Sequence, residues 1–106
     1  MTYGDALSAL ADPTRRGLFE RLRHRPHTVG ELARLARVSQ PTISQHLRVL
    51  HRARLVTHEA RGTARHYRAS REGLDELRRY LETLWDDVLT AYAAADPRPP
   101  KKRGTR

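Results

Sequence analysis

Six side chains in one stretch, Gln40, Thr42, Ser44, Gln45, Arg48 and Arg52, have the chemistry for nucleic acid. Amides, hydroxyls and guanidiniums are the groups that hydrogen-bond to base edges and phosphates. They stand in SQPTISQHLRVLHR, which contains no carboxylate. An ordinary solvated helix face would have the same composition, so the neighbouring segments must decide.

What positions these groups is a helix over residues 39–50. Ile43, Leu47 and Leu50 recur at i, i+4 and i+7, one face of a 3.6-residue period. Ser39 is suited to the N-cap, and Pro41 falls in the first turn, where a missing N–H costs little. Val38 and Ile43 have the spacing of a hydrophobic staple.

Other chemistry finds little support. Ser39 and Ser44 lie near His46 within one helix, with no acid to orient the imidazole. There is no Gly-rich phosphate loop, no cysteine nucleophile and no carboxylate pair in a believable cleft, so an enzyme is not expected. His24 and His27 have an H-x-x-H spacing but straddle Pro26 and lack a third ligand. Zinc wants three or four convergent ligands, so neither a metal site nor a cofactor is expected.

The remaining elements follow in order. Residues 2–11 form a short helix whose apolar side must dock elsewhere. Asp12-Pro13 starts a second helix, through Leu18, Phe19 and Leu22, crowded with arginines that suit a solvated face pairing locally with Asp12 or Glu20. Thr28-Val29-Gly30-Glu31 is a capping box that opens a third. Two short helices, a tight turn and a polar second helix are the pattern of a helix-turn-helix, and small Ala33 and Ala36 allow close approach.

Residues 55–59 and 65–68 are strand candidates around a turn over 60–64 that contains Gly62 and Thr63. A basic hairpin placed there reads as a wing, with Arg61, Arg65 and His66 along the phosphate backbone or in the minor groove. Ser70 then caps a long helix. Leu74, Leu77, Leu81, Leu84 and Val88 step 3-4-3-4 along it, and Trp85 widens the seam beyond what one small domain covers. A second copy is expected to meet part of it.

Composition sets the bounds. A chain of 106 residues with 38% hydrophobic and 31% charged residues suits one small folded domain, expected over residues 1–95. Residues 96–106, DPRPPKKRGTR, are expected to be a disordered basic tail. Without cysteines, signal-peptide pattern or a long apolar run, a cytoplasmic protein without a membrane partner is expected. The net charge is +9 and unevenly spread. Residues 12–71 hold 14 Arg against 4 acidic residues, whereas residues 72–95 hold 2 Arg against 6. The middle of the chain faces a polyanion, and double-stranded DNA is the expected partner.

Taken together, ALADPTRRGLFERL, VGELARLARVSQPTISQHLRVLHRARLV and the basic hairpin resemble the ArsR family of bacterial winged-helix repressors, over roughly residues 5–92. The resemblance implies a mainly α winged helix-turn-helix with five helices plus a β-hairpin wing. It makes Ser39 through Arg48, Pro41 included, the recognition helix. It also places the dimer contact on the first and last helices, so that Tyr3 and Leu7 join the seam. Metal-sensing members carry cysteines on the helix matching residues 29–36, or Asp/His ligands on the last helix. Here the former has Ala33 and Ala36 and the latter has no His, as in members without metal sites. The expected function is a homodimeric, sequence-specific transcriptional repressor acting on an inverted-repeat operator, its own operon among the candidates. Two alternatives use the same residues: a repressor answering to a metal or an unidentified small molecule, and a non-specific DNA-compacting protein.

Overall fold

A computed structural model describes residues 3–95, apart from the side chains of Tyr3 and Ala95. The basic tail and the interface role expected of the Tyr3 side chain therefore lie outside the described residues. The elements are α1 (Tyr3–Ala11), α2 (Pro13–Leu22), α3 (Val29–Ala36), α4 (Gln40–Arg52), β1 (Val56–Arg61), β2 (Ala64–Ala69) and α5 (Arg71–Ala95). This is the mainly helical winged helix-turn-helix expected, with five helices and a two-stranded antiparallel hairpin.

Capping chemistry sets the boundaries. Asp12 sits in extended backbone and its carboxylate accepts the Arg15 N–H at 3.0 Å, starting α2. The carbonyls at the end of α1 are taken by arginine side chains: Arg15 Nε donates to Ala9 O at 2.8 Å, and Arg16 Nη1 to Leu10 O at 3.0 Å. The local acid pairing expected of the α2 arginines holds for Arg23 with Glu20, at 2.9 Å. Arg15 and Arg16 differ because four C-terminal carbonyls of α1 would otherwise lack partners. In α3, Thr28 Oγ1 accepts the Glu31 N–H at 3.2 Å and Glu31 Oε1 accepts the Thr28 N–H at 3.0 Å.

α4 runs through the core. Its Ile43, Leu47 and Leu50 are at most 1% exposed and pack with Leu18, Leu22, Leu32 and Leu55 in one cluster. Burying each such side chain is worth about 2 kcal/mol. The core edge of α4 is thus fixed, and with it the direction in which the opposite edge points.

The strands are longer and the turn tighter than the expected turn over 60–64. Arg61 pairs with Ala64, leaving Gly62-Thr63 as a two-residue loop. Gly62 has φ +62° and Thr63 does not share the positive φ, the pattern of a II′ turn, which matches strand twist. The hairpin is held by buried Leu55, Val56 and Tyr67, and by a backbone bridge from β2 to His27 (Tyr67 N to His27 O, 2.8 Å; His27 N to Tyr67 O, 2.9 Å).

α5 has 25 residues, about 37 Å of helix at 1.5 Å per residue, in a molecule of 62 × 31 × 21 Å. It outruns the core that could cover it. Leu77 is half-buried on the core cluster, whereas Leu81, Leu84, Trp85 and Val88 are 40–65% exposed, with Leu74 and Leu7 at 37% and 44%. Among the described residues no helix is long and apolar enough to cross a membrane.

Candidate nucleic-acid interface

The outward edge of α4 carries the polar residues the periodicity assigned to it. Gln40, Pro41, Thr42, Gln45, Arg48 and Arg52 are exposed and Ser44 is half-buried. Ser39 is exposed, but its hydroxyl is engaged: it accepts the Thr42 N–H at 3.3 Å and donates to Thr42 Oγ1 at 2.9 Å. Ser39 therefore holds the helix start, while the Gln45 amide and the Arg48 and Arg52 guanidiniums project without a protein partner among the described residues.

Pairing separates the arginines. Arg15 and Arg16 bind carbonyls, Arg54 faces Glu72 and Glu76, Arg61 Nε meets Glu59 Oε2 at 3.1 Å, and Arg71 and Arg78 pair along α5. Arg48, Arg52 and Arg65 make no ion pair among the described residues. Arg48 and Arg52 on α4 and Arg65 on the wing thus remain free cations among the described residues, as do Arg21, Arg34, Arg37 and Arg68. On α5 only Arg79 lacks an ion pair to a described residue, and six carboxylates outnumber the arginines.

The wing splits the three residues expected to act together. Cross-strand partners share a face, and the register sets Ala60 opposite Arg65, His58 opposite Tyr67 and Glu59 opposite His66. Arg65 therefore lies on the face of buried Tyr67, which looks to the body, while Arg61 and His66 lie on the other. Alternation along β2 separates Arg65 from His66, and the two-residue turn sets the register that puts Arg61 on the His66 side. Arg61 is also partly neutralised by Glu59. Gly62 and Thr63 are exposed at the tip.

Several features have no counterpart in the sequence reading. The His51 ring at the end of α4 lies 5.2 Å from that of His58, which lies 5.0 Å from that of Tyr67, so rings join α4 to the wing. Burial, then Arg65 and His51, hold His58 below its ordinary pKa. Only the His58–Tyr67 register could have suggested this stack. His24 is exposed, whereas His27 is buried with Nδ1 2.9 Å from Arg25 O and its backbone makes the bridge to Tyr67, so the two rings of the H-x-x-H spacing lie in different surroundings. Among the described residues no three His, Cys, Asp or Glu side chains converge to hold a metal.

The fold and its polar α4 define a winged helix-turn-helix DNA-binding protein. The helix-turn-helix domain family matches residues 10–59. The chain is 52% identical over 88 residues to the HTH-type transcriptional regulator Rv2034 of Mycobacterium tuberculosis, covering 83% of this chain and 82% of that protein. It is 32% identical over 63 residues to the transcriptional repressor SdpR of Bacillus subtilis, covering 59% of this chain and 70% of that one. An ArsR-like transcriptional regulator from Rhodococcus sp. RHA1 superposes with a TM-score of 0.74 at 29% identity, over 88% of this chain and 91% of that one. The chain belongs to the ArsR family of winged helix-turn-helix transcriptional regulators. It is a DNA-binding regulator and not an enzyme.

Proposed function

We propose that this chain is a homodimeric, sequence-specific repressor that acts in the cytoplasm on an inverted-repeat operator. The observation that supports the reading is the outer edge of α4: Gln45, Arg48 and Arg52 are exposed and have no partner among the described residues, on a helix whose inner edge is fixed in the core. Gln45 supplies an amide that both donates and accepts, as pairing with adenine N6 and N7 requires. Arg48, Arg52 and Arg65 supply charge for phosphates. Ser39, Pro41 and Thr42 hold the first turn of α4, Ser44 lies beside Gln45, and the wing tip Gly62-Thr63 lets the backbone approach the duplex closely.

The second copy is inferred from α5. Trp85 and Val88, 65% and 64% exposed, continue a seam that Leu77 starts against the core. A self-complementary 3-4-3-4 face is suited to pairing with itself about a two-fold axis. On the charged outer side of α5, Arg78 pairs with Glu82 at 2.9 Å and Arg71 with Asp75 at 3.2 Å, and the acidic excess of the helix makes it a poor competitor for DNA. Repression as the outcome is supported by the likeness to a protein named as a repressor.

Selection of bound sequences from random duplex by the purified protein tests the reading. An inverted repeat should emerge, with half-sites about 10–10.5 bp apart or a multiple. Its complex should survive excess unrelated duplex, which a compacting protein would not. A single asymmetric half-site, or no enrichment, would overturn the proposal.

A further inference from the structure

The first turn of α5 is fastened to the turn that closes α4, residues 53–55, by contacts that DNA reading does not itself require. Gly73 N donates to Arg54 O, and Ser70 N to Leu55 O, each at 2.8 Å. The approach is so close that a Cβ at Gly73 would overlap the Ala53 carbonyl oxygen and lie 2.9 Å from that of Arg54. Arg54 holds the turn in the left-handed region, φ +61°, a conformation that favours glycine. Its guanidinium stands 4.0 Å from Glu72 Oε2 and 3.9 Å from Glu76 Oε2. Glu76 Oε1 is buried with no hydrogen-bond partner, so Arg54 is the one cation set to offset that carboxylate among the described residues.

α5 carries the exposed seam and α4 the exposed reading edge, so this junction, together with α1 packed against both helices, sets the direction of one relative to the other. We infer that the Arg54–Gly73 junction determines which half-site separation the regulator accepts. Arg54 and Gly73 are positioning residues that touch no base. The inference rests on the dimer of the proposed function. Each base pair added between half-sites moves them about 3.4 Å apart and turns one by about 35° about the DNA axis, from the 10–10.5 bp and 34–36 Å of a helical turn. A stiff junction cannot follow that displacement, so protein or DNA must be deformed at a cost in affinity. A compliant junction follows it.

The test is a series of inverted repeats differing in spacer length by single base pairs, with a duplex carrying one half-site as the reference. The wild-type chain should lose about tenfold in affinity for each base pair away from its best spacer. Arg54→Gly keeps the left-handed conformation at lower cost, which offsets the loss of the cation beside Glu76, so it should stay folded while its profile flattens to about threefold. Gly73→Ala pushes α5 off the residue 53 and 54 carbonyls, so its best spacer should move or broaden. Both variants should bind the single half-site as the wild type does. A wild-type spacer profile in folded Arg54→Gly overturns the inference, whether or not Gly73→Ala folds. A wild-type chain indifferent to spacing would instead overturn the dimer reading beneath it.

Discussion

Arg15 reaches back over the Asp12-Pro13 break so that its Nε lies 2.8 Å from the carbonyl oxygen of Ala9, in the preceding helix. With Arg16 on the Leu10 carbonyl and Asp12 on the Arg15 N–H, one short sequence both closes α1 and opens α2. This matters for function because α1 packs against α5 and α4. The cap thus holds one support of the seam helix.

Arg15→Ala should lower stability by about 1 kcal/mol, the net worth of a charge-assisted hydrogen bond that is only partly buried. Arg16→Ala should cost less, since its bonds are exposed. If these arginines served phosphates instead, thermal melts of the free protein would be unchanged and the salt slope of DNA binding would fall.

Acid should weaken the fold in two stages. His58 is held below its ordinary value of 6.5 by burial, then by Arg65 and His51, so the unfolded chain takes up that proton first. Stability therefore declines as pH falls below 6.5. Asp12 and Glu31 are held below their ordinary 3.8 and 4.5, chiefly by the N–H groups of Arg15 and Thr28. Their contribution is present above those values and is lost as pH falls through the lower folded ones. Melts from pH 7 to 3 should show both stages, His58→Gln removing the first and the pair Asp12→Asn, Glu31→Gln reducing the second. An unaltered first stage in His58→Gln would contradict the assignment.

Much of this architecture was legible in the residues. Ile43, Leu47 and Leu50 marked the buried edge of α4, and the Thr28/Glu31 box and Asp12-Pro13 marked helix starts, because caps and periodicity are local. What was not legible depends on contacts far along the chain. Arg37 and Arg54 adopt left-handed backbone at helix ends without the usual glycine, so no residue type announced those turns. His27 joins β2 through a single bridge, too short to leave a pattern. The separation of Arg65 from His66 was implicit in strand alternation, but the side on which Arg61 falls followed only from the two-residue turn, since a shift in register exchanges the faces.

The seam can be tested without touching α4. Trp85→Glu with Val88→Glu places charge on an exposed face and should leave the melting temperature of the monomer nearly unchanged. Sedimentation should report one chain where the wild type reports two, and affinity for a full inverted repeat should fall to that for one half-site. A variant that still sediments as two chains would move the interface elsewhere.

The division between reading by α4 and holding by the wing is the point on which the regulator's specificity turns. Gln45→Ala and Arg65→Ala should be titrated against a panel of single-base changes in the selected operator, and against random duplex, at several salt concentrations. Gln45→Ala should relax preference at one position in each half-site, by about 1–3 kcal/mol against the wrong base, with binding to random DNA almost unchanged. Arg65→Ala should weaken every duplex together and reduce the salt slope by about 0.9 for each phosphate it no longer neutralises. Equal losses across the whole panel for Gln45→Ala would contradict this division, because the residue would then hold the DNA and not read it.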